Sequence, residues 1–283
     1  MVMDIKIVTV VKNDDPGLLE TAKSIIRLSE GLQTITITHI VIDGNPDGDL
    51  RQLLSGCYSD LEGSNITIKT QSELDSGIYD AMNKALRYIR FGDIVWYLNA
   101  GDTVSEMIDI DLFEKAVMSF YKSNNRLSFY VANCYFENKS WEFPEKNIDA
   151  NKFSQWLKHN TPVHQAVLFK HTPEYPLHYM RSFRIQSDSI LIYYIAASEG
   201  IMDFHNNIIC NYRVGGYSNN YLSFRKVVRQ TIEQFVVLMM REDTLYSKIR
   251  LIPIMSAKYV LSHISGARFS KIHSIINQYR YKP

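Results

Sequence analysis

Three aspartates that follow strand-like runs are the first residues in the sequence with recognisable chemistry. Asp43 and Asp47 come after the apolar run 35–42, and Asp102 comes after the run 94–98. Carboxylates gathered at one edge of a sheet, with no Cys or His ligand set nearby, suit a hard divalent ion such as Mg²⁺ or Mn²⁺ that also contacts a diphosphate. Aspartate is also common in turns and helix caps, so each residue alone has a structural explanation.

Alternating strand and helix patterns along the first hundred residues are expected to bring these aspartates together. This alternation predicts an α/β fold with a parallel sheet, in which ligands bind beyond the carboxyl ends of the strands. The strand patterns lie at residues 5–11, 35–42, 66–70 and 94–98. Helical spacing of apolar residues follows at 18–28, 50–58 and 78–89.

The region from residue 127 to residue 170 is harder to assign from its pattern. It contains two strand-like runs, at 129–132 and 167–169, and a short helical segment at 153–157. A buried helix is expected at 188–197, where branched and aromatic residues follow one another.

The composition excludes several classes of protein. Of the 283 residues 46% are apolar, and 18 Tyr with 13 Phe supply more aromatic surface than a disordered chain carries. The uncharged run 189–198 is too short for a transmembrane helix, which needs about 20 apolar residues. The first residues lack the basic start of a secretory signal, so a cytoplasmic protein is expected. Without a GxxxxGK[ST] or GxGxxG motif, ATP hydrolysis and dinucleotide redox chemistry lose their main support.

Charge is distributed unevenly along the chain. Residues 221–283 hold eleven Lys or Arg against three Asp or Glu, a balance of +8, whereas the whole chain has a net charge of +1. Residues 1–220 therefore carry −7, and the two regions are expected to face different partners.

Several motifs resemble the family 2 glycosyltransferases of the GT-A type, and most of all the bacterial colanic acid and O-antigen biosynthesis enzymes. The run SELDSGIYDAMNKA at 72–85 and the run YLNAGD at 97–102 are similar to the family's GIYDAMNKG and LNxGD signatures. The resemblance covers residues 5 to about 220. Four further motifs occur in the family's order, namely VIDG at 41–44, HQA at 164–166, SD at 187–188 and GGYS at 215–218.

This resemblance implies a GT-A fold, in which helices flank a Rossmann-like, mostly parallel sheet. The catalytic domain would span residues 1–220, with a nucleotide-binding half at about 1–105 and an acceptor half at about 106–220, followed by a basic helical extension at 221–283. The implied activity is that of an inverting hexosyl- or deoxyhexosyltransferase. It would move a sugar from a nucleotide-diphosphate sugar to an undecaprenyl-diphosphate-linked oligosaccharide during synthesis of O-antigen, capsule or exopolysaccharide.

The family's donor-binding roles carry over to particular positions. Asp43 matches the aspartate that hydrogen-bonds the nucleobase, and Asp75 lies in the stretch that binds the nucleoside. Asp102 matches the last aspartate of the DxD-type motif, which holds Mg²⁺ or Mn²⁺ on the donor diphosphate, and Asn99 would add a weaker contact. Gly101 departs from the pattern, because many relatives have a first aspartate there.

The resemblance also assigns the acid–base chemistry. Asp188 matches the general base of the family, which takes the proton of the acceptor hydroxyl. An N-cap of the following apolar helix is its structural alternative. His164 and Gln165 are assigned to substrate binding, although a single His is more often a packed or hydrogen-bonded ring.

The basic C-terminal region leaves two interpretations open. Its amphipathic helix at 224–240 could lie on the anionic inner face of the cell membrane, as a peripheral anchor, or pack on the catalytic domain. Nucleic acid is not expected as a partner, because the rest of the chain is acidic. Two other functions stay open: a nucleotidyltransferase, although residues 12–15 are acidic where its basic phosphate loop would lie, and a non-catalytic module that binds sugar nucleotides or a membrane surface.

Overall fold

The structure is a computed structural model of the chain. It describes residues 3–47, 49–58, 65–136, 138–145, 148–197, 203–214 and 224–241. The chain divides into two compact units. The first comprises residues 1–182 and 187–214, and the second comprises residues 183–186 and 215–283.

The first unit begins with four parallel strands in the order β3-β2-β1-β4. They form where β-branched residues run without interruption, and from Ile7 to Val11 every residue of β1 is buried. The predicted α/β fold with a parallel sheet is therefore confirmed. The strands are β1 (Met3–Val11), β2 (Ile35–Asp43), β3 (Ile66–Ser72) and β4 (Ile94–Tyr97).

The sheet continues beyond β4 in the order β8-β6-β9-β5, and β7 pairs with β6. Here the pairings are antiparallel except for β6 with β9. The sequence pattern indicated β6 and β8 but not β5, β7 or β9. These strands are β5 (Thr103–Val104), β6 (Leu127–Phe136), β7 (Lys139–Phe143), β8 (Val167–Lys170) and β9 (Asp203–Arg213).

Helices flank this sheet, and the first is set by its N-terminal residues. Asp14 caps α1 by accepting a 3.1 Å hydrogen bond from the backbone N–H of Gly17, and Pro16 lies in the first turn, where it needs no hydrogen-bond donor. The helices of the first unit are α1 (Asp15–Gly31), α2 (Leu50–Tyr58), α3 (Ile78–Ala85), α4 (Ile110–Lys122), α5 (Ala150–His159) and α6 (Ser187–Ala196). Two 3₁₀ turns lie at Leu86–Tyr88 and His164–Ala166.

The main core lies between the sheet and the helices α1 and α4. Trp96 of β4 is fully buried against Phe113 of α4, with ring centroids 5.8 Å apart. Burying each such side chain contributes roughly 1.5–3 kcal/mol. The indole N–H of Trp96 donates a 2.7 Å hydrogen bond to the backbone carbonyl of Gln165, which ties the core to the 3₁₀ turn at His164–Ala166.

The second unit contains α7 (Phe224–Arg241). Glu233, only 4% exposed, accepts hydrogen bonds from the backbone N–H groups of Arg184, Ile185 and Gln186 at 2.9, 2.8 and 3.0 Å. A buried carboxylate thus satisfies three backbone donors that precede α6 in the chain. In the part of the chain that the structure describes, no helix is long and apolar enough to cross a bilayer.

Candidate active site

Asp43 and Asp75 lie at the carboxyl end of β2. Gly44, the residue after the strand, approaches Asp75 so closely that an added Cβ would lie 1.9 Å from Asp75 Oδ2. Lys12 Nζ lies 3.5 Å from Asp75 Oδ1. The structure therefore places both predicted nucleoside-binding carboxylates at one edge of the sheet, whereas Asp47 is exposed in the turn that follows.

The environment of Asp43 shifts the pKa of its carboxyl group upward. Its side chain is 6% exposed, and burial is the main cause that raises the pKa of its carboxyl group. The charges of Asp15 and Asp75 raise this pKa further, while the 2.9 Å hydrogen bond from the Asn45 backbone N–H and the charge of Lys12 lower it. At the carboxyl end of β2, the Asp43 carboxyl group can serve as a hydrogen-bond partner of a nucleobase.

Asp102 is buried and oriented by two hydrogen bonds. Its Oδ2 accepts a 2.8 Å bond from Nε2 of Gln165, and its Oδ1 accepts a 3.3 Å bond from the backbone N–H of Arg213. Burial raises the pKa of Asp102 to about 7, against the opposing effect of these two bonds. Its charge therefore changes in the physiological pH range.

The loop before Asp102 explains the departure at Gly101. Gly101 has φ +87°, a conformation that L side chains rarely adopt, and its N–H lies 3.1 Å from both Thr21 Oγ1 and the Gly17 carbonyl. An aspartate at this position would be strained. Asn99 closes the turn by accepting a 3.0 Å bond from the Asp102 N–H, and its buried Oδ1 has no hydrogen-bond partner among the described residues.

Asp102 is the one predicted metal ligand, and its surroundings limit how a metal could bind. Among the described residues, no group of three His, Cys, Asp or Glu side chains could hold a metal ion. Mg²⁺ is often bound through one or two carboxylates together with substrate phosphates and water. Each oxygen of Asp102 accepts one bond and keeps a second lone pair. The residues therefore fit an ion held mainly by the diphosphate of a substrate.

Asp188 lies in the first turn of α6 and is partly exposed. Its Oδ1 accepts a 3.0 Å hydrogen bond from the Tyr79 hydroxyl and a 2.7 Å bond from the backbone N–H of Ser189. No hydrogen bond from the described residues reaches Oδ2. One carboxylate oxygen is thus held by the protein, and the other can accept a proton.

His164 lies inside a group of rings that we call the aromatic cluster, formed by Tyr79, Tyr97, Tyr179, Phe169 and His164 itself. Its Nε2 is 2.9 Å from the Tyr179 hydroxyl, and its ring stacks on Tyr97 with centroids 5.2 Å apart. Burial lowers the pKa of His164 more than the nearby charge of Asp188 raises it. A neutral imidazole that is 5% exposed fits a positioning role.

Gln165 and His164 each interact with one of the two main carboxylates. The side chain of Gln165 bonds Asp102, while the ring of its neighbour His164 interacts electrostatically with Asp188. Both residues belong to the 3₁₀ turn at His164–Ala166. The structure thus brings Asp102, Asp188 and this turn into one region of the first unit.

Three residues at the site have weak support or none from the sequence, namely Tyr79, Tyr179 and Arg213. Tyr79 lies within the motif at 72–85, which was a usable signal. Tyr179 and the backbone amide of Arg213 lie in no motif, and only the folded structure reveals their contacts. The GGYS motif at 215–218 lies outside the described residues.

Comparison of the sequence with known proteins gives a partial match. No protein-family model matches the chain. Two uncharacterized glycosyltransferases of Mycobacterium tuberculosis, MT1564 of strain CDC 1551 / Oshkosh and Rv1514c of strain H37Rv, are each 36% identical to this chain over 102 residues. The match covers 36% of this chain and 35% of each relative, so the chain spans about a third of the relatives' length.

Comparison of the fold gives matches over most of the chain. Staphylococcus aureus TarS 1-349 in complex with UDP-GlcNAc has a TM-score of 0.59 at 10% identity, covering 93% of this chain and 73% of TarS 1-349. The mannosyltransferase PcManGT of Pyrobaculum calidifontis, in complex with GDP-Man and Mn²⁺, has a TM-score of 0.55 at 13% identity, covering 99% and 76%. The chain therefore has a GT-A glycosyltransferase fold and shares part of its sequence with glycosyltransferases.

Proposed function

We propose that this protein is an inverting glycosyltransferase of family 2 that uses a nucleotide-diphosphate sugar. The observation that carries this proposal is the pair Asp102 and Asp188, each fixed by its own hydrogen bonds. Asp102 bonds Gln165 of the turn at His164–Ala166, and the charge of Asp188 acts on His164 of the same turn. One carboxylate is buried and the other has an oxygen free of hydrogen bonds from the described residues. These environments suit two different chemical tasks.

The donor nucleotide would bind beyond the carboxyl ends of β1, β2 and β4. Asp43 would accept a hydrogen bond from a ring N–H of the base, and Asp75, beside Gly44 and Lys12, would contact the nucleoside. Asn99, whose Oδ1 has no hydrogen-bond partner among the described residues, would add a weaker contact. The UDP-GlcNAc and GDP-Man in the structural neighbours support a nucleotide-sugar donor.

Transfer would begin when Oδ2 of Asp188 accepts the proton of the acceptor hydroxyl. The hydroxyl oxygen then bonds to the anomeric carbon while the bond from this carbon to the diphosphate oxygen breaks, so the configuration inverts. The nucleoside diphosphate leaves with the bonding electrons. A bound Mg²⁺ or Mn²⁺, held by Asp102, would neutralise charge on this diphosphate.

We extend the proposal to an acceptor carried on a lipid. An undecaprenyl-diphosphate-linked oligosaccharide would place the reaction at the cytoplasmic face of the membrane, in surface polysaccharide synthesis. The exposed Ile232, Met239 and Met240 of α7, together with the exposed Arg229, support a peripheral contact with anionic lipid. The net charge of +8 over residues 221–283 favours the same partner.

A ligand screen followed by a hydrolysis assay tests the activity. Melting temperatures would be recorded with UDP- and GDP-sugars, with and without Mn²⁺, because ligand binding raises stability by mass action. The stabilising sugar nucleotide is then incubated with the protein, and free nucleoside diphosphate is measured.

The variant Asp188→Asn should retain the ligand-induced shift and lose turnover by about a hundredfold or more, as expected for a general base. Asp111→Asn, an exposed aspartate in the first turn of α4, is the matched control. Turnover of Asp188→Asn at the control's rate would reject the assignment of the base, and a screen without any stabilising sugar nucleotide would reject the activity.

A further inference from the structure

Tyr79 and Asp188 are 109 residues apart in the sequence, yet the Tyr79 hydroxyl donates a 3.0 Å hydrogen bond to Asp188 Oδ1. We propose that Tyr79 is a positioning residue that fixes one oxygen of the Asp188 carboxylate and thereby directs the other toward the acceptor hydroxyl. This inference rests on the proposed role of Asp188 as the general base.

The Tyr79 ring is itself held in place. It is 5% exposed and stacks on Tyr179, with centroids 5.6 Å apart and an interplanar angle of 18°. The Asn83 side chain holds the Tyr179 backbone by donating to its carbonyl and accepting from its N–H, both at 2.8 Å. His164 contacts the Tyr179 hydroxyl at 2.9 Å. The phenol of Tyr79 therefore projects from a supported ring that has little freedom to turn.

The hydrogen bond from Tyr79 selects which oxygen of the Asp188 carboxylate is held by the protein. An aspartate in the first turn of a helix can rotate to exchange its two oxygens unless a second group selects one of them. The Tyr79 hydroxyl and the Ser189 N–H both donate to Oδ1, at 3.0 and 2.7 Å. Oδ2 is then the oxygen left to accept the proton of the acceptor hydroxyl. A general base acts only when its lone pair is within hydrogen-bond reach of the proton that it removes.

Tyr79 also links the base to the sugar-nucleotide site through α3. Asp75 lies just before this helix and accepts a 2.9 Å bond from the Gly77 N–H. The loop that would bind the nucleoside and the hydroxyl that orients the base thus belong to one short segment, residues 75–79. A shift of this segment would move both groups together.

The test compares two isosteric replacements of Tyr79. Tyr79→Phe keeps the ring and removes the hydroxyl, whereas para-aminophenylalanine at position 79 keeps a hydrogen-bond donor on the same ring. Tyr130→Phe, a buried tyrosine of β6, is the control. For each protein, the melting shift caused by the sugar nucleotide and the kcat and KM for its hydrolysis would be measured, with Asp188→Asn alongside.

We expect Tyr79→Phe to lower kcat by about tenfold to a hundredfold, since the lost bond ends on a charged group, with little change in KM or in the melting shift. The amino variant should recover most of this loss, and Tyr130→Phe should match the unaltered protein. Equal kcat for the phenylalanine and amino variants would overturn the inference, even if both lose stability. If Asp188→Asn keeps full turnover, the proposed base fails instead, so the two failures are distinguishable.

Discussion

The Gln165 side-chain amide donates a 2.8 Å hydrogen bond to Asp102 Oδ2, across 63 residues of sequence. The backbone carbonyl of Gln165 accepts a 2.7 Å bond from the Trp96 indole, so the residue is anchored at one end and orients a carboxylate with the other. The bond from the Gln165 side chain stabilises the ionised form of Asp102. Burial has the opposite effect and raises the pKa of Asp102 to about 7.

Replacing Gln165 should therefore weaken sugar-nucleotide binding. In Gln165→Ala the ionised form of Asp102 loses its side-chain hydrogen bond, which costs roughly 1.5–3 kcal/mol. We expect at least a tenfold rise in the Kd of the sugar nucleotide with Mn²⁺ at pH 7, measured by calorimetric titration. Gln155→Ala, at an exposed position of α5, is the control. An unchanged Kd in Gln165→Ala would show that the orientation of Asp102 does not matter for binding.

Asp102 should make stability depend on pH in a defined direction. Its folded-state pKa of about 7 lies above the ordinary value of 3.8, so the folded protein holds a proton that the unfolded chain releases. The free energy of unfolding then falls as pH rises between about 4 and 7, and is constant above that range as far as this group is concerned.

Asp102→Asn removes this dependence. Its stability relative to the unaltered protein should grow with pH from about 4 to 7, reaching on the order of 4 kcal/mol. Melting curves at several pH values measure this difference, with Asp111→Asn as the exposed control. Parallel pH curves for Asp102→Asn and the unaltered protein would contradict the raised pKa.

Gly44 should be required for the position of Asp75. A Cβ at this site would lie 1.9 Å from Asp75 Oδ2, so Gly44→Ala must displace the carboxylate. We expect weaker sugar-nucleotide binding, seen as a smaller ligand-induced rise in melting temperature. Gly56→Ala provides a matched comparison, because a Cβ there meets no atom within 4 Å and alanine favours the helix α2. Equal ligand shifts in the two variants would argue against Asp75 as a contact of the nucleoside.

Replacing Gly101 by a residue with a side chain should strain the backbone. A Cβ on Gly101 has space, with Asp14 Oδ2 at 3.7 Å, but φ is +87°. Gly101→Ala is expected to lose about 1–3 kcal/mol of stability, and Gly92→Ala, at φ +95°, should lose a similar amount. Only Gly101→Ala should also reduce sugar-nucleotide affinity, since Gly101 adjoins Asp102. Denaturant unfolding and titration separate the two effects, and equal affinities would remove the loop 99–102 from the site.

The parallel part of the fold could be predicted from sequence because its signals are local. Uninterrupted β-branched runs specify β1 and β2, and turn-forming residues mark where they end. The positions of Asp43 and Asp102, beyond the carboxyl ends of β2 and β4, followed from the rule that parallel strands end at one edge of the sheet, whereas Asp75 was assigned from the family resemblance. The short strand β5 and the polar, partly exposed β9 carry weak patterns, so they were missed.

The contacts within the site could not be predicted in the same way. The motif at 164–166 pointed to Gln165, but its bond to Asp102 depends on how β4 and β8 pair. The Arg213 contact uses a backbone N–H, which every residue except proline possesses, so its side chain gave no signal. Tyr79 lies within a motif, yet its bond to Asp188 joins two helices whose packing the sequence does not reveal.

The hydrogen bonds of the buried Glu233 carboxylate affect the order in which parts of the newly made chain fold. Glu233 follows Arg184, Ile185 and Gln186 by 49, 48 and 47 residues, and it supplies the acceptor for all three of their N–H groups. A ribosome synthesises the N-terminal strands first, so these three N–H groups cannot bond Glu233 until α7 has emerged. Residues 184–186, which lead into Asp188, therefore complete these hydrogen bonds late in biosynthesis, after the strands of the parallel sheet have been made.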